Sequence, residues 1–221
     1  DMPADVTAEF ITIPAKSAPA GLLEAAQQHE VSVLVTGSSD SGQFGYISLS
    51  SVADRLLHSS HVPVAVATRG FRAVGGKIKR ITLAYTGGEQ SSLLLASARV
   101  LAAQYGCELR LASFAVHLSP SETERFRDER GTVLSEFAQE IYAAAEKELA
   151  TDDPSQTTRP EIVIGYGRDW DEAFESVEWD AGDVLVVGSS DAGAVARVFI
   201  GSRATKIVRH SPVPVIVVPR S

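Results

Sequence analysis

One stretch of this chain occurs twice. Val33-Leu34-Val35-Thr36-Gly37-Ser38-Ser39-Asp40-Ser41-Gly42 is matched by Val184-Leu185-Val186-Val187-Gly188-Ser189-Ser190-Asp191-Ala192-Gly193, and Val62-Pro63-Val64-Ala65-Val66 by Val213-Pro214-Val215-Ile216-Val217. Gly188 follows Gly37 by 151 residues, and Pro214 follows Pro63 by the same 151. Register therefore holds without a gap from Val33–Arg69 to Val184–Arg220. Chance similarity does not keep register over that span, so the chain contains two copies of one α/β unit. An apolar run such as Val184 to Val187 is expected for a strand buried on both faces of a parallel sheet. The Gly/Ser loop that leaves it, close to a helix N-terminus, offers backbone N–H groups and the positive end of a helix dipole. Such a loop can hold a phosphate without a cationic side chain.

The loop is followed by Ile200-Gly201-Ser202, a short amphipathic helix and Pro212-Val213-Pro214-Val215. Strand, Gly-x-x-Gly, nine residues, Gly-Ser, helix and Pro-x-Pro-Val strand is a pattern that resembles the universal stress protein family. The resemblance implies a Rossmann-like α/β fold, doubly wound around a five-stranded parallel sheet of order 3-2-1-4-5. It also implies ATP, with Mg, at the loop after strand 4, and pairing of two units, often as a tandem within one chain.

Composition agrees with a globular protein of the cytoplasm. Of 221 residues, 44% are apolar and 22% charged, ordinary for a packed domain. The net charge of −8 argues against a nucleic-acid surface, which needs clustered Lys and Arg. Cys107 is the one cysteine, so no intramolecular disulfide can form, and its place before an apolar run makes it an inert small residue near the core. No stretch reaches about 18 consecutive apolar residues, the length that spans a membrane. The N-terminal Asp-Met-Pro-Ala-Asp has the features of neither a signal peptide nor a natural start.

Three segments follow from pattern. Residues 1–69 read as the C-terminal part of a first unit, 70–76 as a glycine-bounded linker, and 77–221 as a complete second unit. In the first, Val6 to Ile13 reads as a strand, Ser17 to Glu30 as a helix, Val31 to Val35 as a buried strand, Leu49 to Ser59 as a helix and Pro63 to Ala67 as a strand. On the family template these are strands 3 to 5, with strands 1 and 2 absent. Strand 3 would then have no neighbour in its own sheet, leaving backbone groups unpaired. The expectation is a natural protein that extends upstream by roughly 70 to 80 residues, the size of a β-α-β-α unit, or else a strand 3 that is rearranged or supplied by a partner chain.

The second unit alternates strands and helices, the mark of a parallel doubly wound sheet. Strands are expected at Ile81–Tyr85, Glu108–Val116, Glu161–Gly165, Val184–Val187 and Val213–Val218. Helices are expected at Glu89–Tyr105, from Ser119 or Ser121 to about Ala150, and at Asp169–Trp179. Gly106 is placed to end its helix in left-handed geometry.

Ligands of such sheets sit outside the carboxyl ends of the strands, where strand order reverses. On the template that point lies between strands 1 and 4. The resemblance then places Ala84, Thr86, Val116, Val187, Gly188, Ser189, Ser190, Gly193, Gly201, Ser202 and Arg203 around a nucleotide. Two positions depart from the family. Thr86 stands where ATP-binding relatives carry Asp, and a hydroxyl bonds a ribose more weakly than a carboxylate. Asp191 replaces the second loop glycine, and Asp40 does so in the first copy; a carboxylate beside a triphosphate repels it unless a divalent ion intervenes. Gly193 and Gly42 stand two residues later. Ser50-Ser51 replace Gly-Ser in the first copy, the more degraded of the two.

Three readings stay open. The second unit binds ATP or another adenine nucleotide; or the loop is only a turn, with Asp191 and Ser202 as helix caps, and the chain is a dimerisation or signalling module; or it is an enzyme. The third rests on Thr86-Gly87-Gly88-Glu89-Gln90-Ser91-Ser92, which resembles the Ser-Gly-Gly-x-Asp-Ser loop of ATP pyrophosphatases but has Gln90 for the Asp. No acid, base and nucleophile come together in the sequence, and catalysis is not expected. His117 is the histidine nearest the pocket. His29, His58, His61 and His210 fall at helix ends, and Arg197, Arg203 and Arg209 lie where they either neutralise phosphate or form a solvated face. Finally, Val213 to Val218 is an apolar edge that must be covered. It is expected to face Val62 to Ala67, within one chain or between two, with Pro63 and Pro214 helping to set register.

Overall fold

The computed structural model describes residues 7–72, 76–87, 89–116, 136–150, 159–189 and 202–219. The elements in chain order are α1 (Ala18–Gln28), β1 (Leu34–Thr36), α2 (Ser51–Ser59), β2 (Val64–Val66), β3 (Arg80–Ala84), α3 (Glu89–Tyr105), β4 (Glu108–Ala115), α4 (Glu136–Ala150), β5 (Glu161–Tyr166), α5 (Trp170–Glu175), β6 (Asp183–Gly188), α6 (Ser202–His210) and β7 (Val215–Val218). Short polar side chains start several helices. Ser17, Ser50 and Asp169 accept from the N–H groups of Ala20, Ala53 and Glu172 and so cap α1, α2 and α5. Gly106 follows α3 with φ +59, as its composition foretold.

The five-stranded sheet expected for one unit is present but does not stand alone. Described strands form one sheet of seven, β1-β2-β7-β6-β3-β4-β5. Its parallel part, β5-β4-β3-β6-β7, has the order 3-2-1-4-5 of the second unit. β2 then joins β7 antiparallel, with Val64 opposite Val217, Ala65 opposite Ile216 and Val66 opposite Val215. β1 continues parallel to β2.

The repeat is visible in the hydrogen bonding. Leu34 pairs with Val64 and Leu185 with Val215, so strand register is the same in both copies at the 151-residue offset. Leu34 N donates to Pro63 O as Leu185 N donates to Pro214 O. Ser60 and Ser211, both buried, donate from Oγ to the carbonyls of Val62 and Val213.

Two expectations for the first copy fail. Residues 7–15 form no strand, and Phe10 lies in solvent; a strand with no neighbour leaves its backbone groups unmet. The run Val31 to Val35, expected to be buried, is strand only from Leu34 to Thr36, and Val35 is 72% exposed. Among the described strands β1 is the edge of the sheet, with β2 as its one neighbour. The start of the helix expected from Ser119 lies outside the described residues, as does the centre of the linker.

Alternation along the strands builds two core layers. Leu185 and Val187 of β6 face α2, α5 and α6, with Leu56, Leu57, Phe114, Trp170, Phe174, Ile207 and Val208. Val186 faces α3 and α4, with Leu95, Ala98, Ile141 and Ala145. At the amino ends of the central strands a charged cluster is buried. Arg80 donates from Nε and Nη2 to both oxygens of Asp183, at 3.1 and 2.6 Å. Arg110 donates to Thr82 Oγ1 and Glu178 O, approaches Asp183 at 3.5 Å and stacks over Trp179. Burial pulls the Arg80 pKa down, but the bond and charge of Asp183 outweigh it and the net shift is upward. At Arg110 burial, with Arg80 adding to it, prevails and the shift is downward.

Candidate functional site

β3 and β6 are neighbours, and the chain leaves them toward opposite faces. The connection after β3 is α3, packed on the Val186 side, whereas α6 packs on the Leu185 side. The carboxyl ends of β3 and β6 therefore flank the crevice in which such sheets bind ligands.

The structure places the expected residues as follows. Ala84 ends β3 and Val187 lies near the end of β6; both are buried in one core layer, with Val116 packed against it. Thr86 is exposed just beyond β3, its Oγ1 3.5 Å from Ser91 Oγ, and Ser91 donates to Gly87 O. Gly188 closes β6 beneath Leu94 of α3: a Cβ there would come within 2.9 Å of Leu94 Cδ2. Ser189 is buried and its N–H donates to Val218 O at 3.0 Å. Ser202 opens α6 and is exposed. Ser190, Asp191, Gly193, Gly201 and His117 lie outside the described residues.

Arg203 does more than its sequence position suggests. From the first turn of α6 its Nη2 donates to Phe114 O at 2.6 Å, and the guanidinium lies 5.9 Å from the centroid of Trp170. The direction of Phe114 O follows from the ladder. Tyr85 N bonds Ala112 O, so carbonyls two apart on β4 point to the β3 flank. β3 has ended at Ala84, and Phe114 O is the first carbonyl on that flank with no strand opposite. Arg203 meets it across the crevice. Among the described residues no carboxylate pairs with Arg203, and burial of the guanidinium lowers its pKa, although the residue as a whole stays exposed. It remains a cation at neutral pH. The part played by Phe114 O and Trp170 carried no sequence signal, because a backbone carbonyl is silent and an inward tryptophan reads as core.

A second concavity lies elsewhere. A cleft of about 650 Å³ opens between the first-copy loop, from Gly42 to Leu49, and Asp171, Glu175, Arg209 and His210 of α5 and α6. His210 Nδ1 lies 2.6 Å from Asp171 Oδ1. The antiparallel β2–β7 pair brings the carboxyl end of β1 to the amino end of β7, which is why a loop of one copy faces helix ends of the other. Among the described residues no helix is long and apolar enough to cross a membrane.

The model of the universal stress protein family matches residues 4–68 and 77–219, nearly the whole chain in two segments. This chain belongs to the universal stress protein family. A universal stress protein of Mycobacterium tuberculosis is 36% identical over 207 residues, which cover 92% of this chain and 70% of that protein. A universal stress protein of Thermus aquaticus is 27% identical over 140 residues, 63% of this chain but 98% of its own length. Its length therefore corresponds to one unit. Among solved structures, a universal stress protein from Archaeoglobus fulgidus aligns with TM-score 0.57 and 24% identity, covering 90% of this chain and 65% of its own. One from Pseudomonas aeruginosa aligns with TM-score 0.58 and 16% identity, covering 93% and 69%. These two likenesses establish the fold.

Proposed function

We propose that this universal stress protein is a cytoplasmic stress-response module whose second unit binds an adenine nucleotide, ATP with Mg, at the β3–β6 crevice, without turning it over. The observation that carries this reading is the reversal of strand order between β3 and β6, with Gly188 and Ser202 at the mouth. Ser202 begins a helix whose positive end points at that mouth. The two loop substitutions, Thr86 and Asp191, make the site weak and dependent on the divalent ion.

A second reading has its own support. Ser189 N–H is engaged with Val218 O, and Thr86 with Ser91. A loop so satisfied serves as a turn, and the protein then acts as an association or signalling module built on the β2–β7 pair.

Thermal unfolding of the full chain with and without millimolar Mg-ATP separates the two. Ligand at about 100 times its Kd adds roughly 2.7 kcal/mol, a rise of several degrees in Tm. The nucleotide reading expects that rise, and expects it to vanish in Gly188→Val. No rise at saturating Mg-ATP favours the association module.

A further inference from the structure

We infer that Arg203 is an internal competitor for the base-binding part of the crevice, so that a nucleoside enters only by displacing its guanidinium from Phe114 O. The inference rests on the crevice reading above and adds what controls entry to it.

Four observations support it. The guanidinium lies where the crevice must be open if a flat ring is to enter, between the end of β4 and the first turn of α6. It uses the one carbonyl of β4 that the departure of β3 leaves without a strand partner. It packs over Trp170, whose buried Nε1–H has no hydrogen-bond partner. Among the described residues no carboxylate holds it, and the residue is exposed, so it can leave.

The chemistry of displacement is specific. A guanidinium is a flat group with N–H donors that stacks on aromatic rings. An aminated base such as adenine is also flat, stacks, and carries an N–H donor for a carbonyl. The two present the same features to Phe114 O and Trp170 and cannot both occupy the place. Release of Arg203 costs one charge-assisted hydrogen bond, which weakens nucleoside binding about ten-fold.

Isothermal titration of the full chain tests this with adenosine, which has no phosphate for Arg203 to attract. Mg-ATP is titrated in parallel, and the Tm of each variant confirms that it is folded. Arg203→Ala is expected to bind adenosine about ten-fold more tightly than the natural chain. Arg203→Gln, which keeps a flat donor but not the charge, is expected to fall between them. Equal or weaker adenosine binding by Arg203→Ala overturns the inference, even if the natural chain binds Mg-ATP and the nucleotide reading survives. Tight adenosine binding by Arg203→Ala, with no Mg-ATP binding by the natural chain, supports the inference and removes the nucleotide reading. Absence of binding to either chain overturns both.

Discussion

Single residues set how closely the layers approach. At Gly165 an added Cβ would stand 2.4 Å from Ala173 O and 2.7 Å from the Phe114 ring, so glycine is what lets α5 lie on β5. Gly165→Ala should therefore cost about 2–3 kcal/mol by overpacking. Gly188→Ala meets only the tip of Leu94, which can turn aside, and about 1 kcal/mol is expected. Urea unfolding of the two variants checks the ranking. Asp183 sits between two guanidiniums and is 1% exposed; Arg110 beside it is 2% exposed. Asp183→Asn removes the buried carboxylate between the two guanidiniums and leaves Arg80, among the described residues, with only the exposed Asp180 at 3.7 Å, and about 3–5 kcal/mol should be lost. Thr82→Val removes a single acceptor of Arg110 and should cost about 1–2 kcal/mol. The thiol of Cys107 has its pKa pushed up, first by burial. In the native state it should react with thiol reagents far more slowly than after unfolding.

Elements show how one sequence pattern acquires two environments. Val35 and Val186 are the same position of the repeat, each in the second pair of its strand register. Val35 is 72% exposed and Val186 fully buried. β6 lies between β3 and β7 with helices on both faces, whereas β1 has β2 as its one neighbour among the described strands. Val186→Ala should cost about 2 kcal/mol or more through its cavity. Val35→Ala should stay within about 0.5 kcal/mol, as surface changes do. Equal losses in denaturant unfolding would contradict the burial difference. The helices between these strands, by contrast, keep their roles in both copies. Ala53, Leu56 and Leu57 of α2 and Ala204, Ile207 and Val208 of α6 are buried alike.

At the scale of the molecule, one antiparallel contact joins the copies. Val64 and Val66 of β2 and Val215 and Val217 of β7 are all inaccessible to solvent. This makes β2–β7 part of the core and not a surface contact. Division of the chain at Gly75 should expose the apolar flank of β7 and leave the first part with a two-stranded sheet, which does not persist in water alone. The second part should self-associate in size-exclusion chromatography, and the first should show little regular structure by circular dichroism. Two soluble, monomeric, folded parts would rule out this interface.

The repeat and the succession of strands and helices were legible in the residues, whereas the strand order that places the crevice came from the resemblance to the family. Apolar runs, caps and turn glycines are local signals, and Gly37 with Gly188 and Pro63 with Pro214 kept register over the whole unit. The sequence also marked the trouble at Val6 to Ile13, since a strand without a neighbour cannot satisfy its backbone. Three things were decided only by the tertiary structure. The facing of Val62–Ala67 and Val213–Val218 was expected from their apolar edges, but that they pair within one chain, as neighbours in a continuous seven-stranded sheet, was decided by the fold. Val35 is exposed where Val186 is buried, because burial depends on what lies beside a strand and not on its letters. Arg203 spans to Phe114 O over Trp170, because β3 ends two residues too early to meet that carbonyl, and residues 89 positions apart in the chain are brought together by the winding of the sheet.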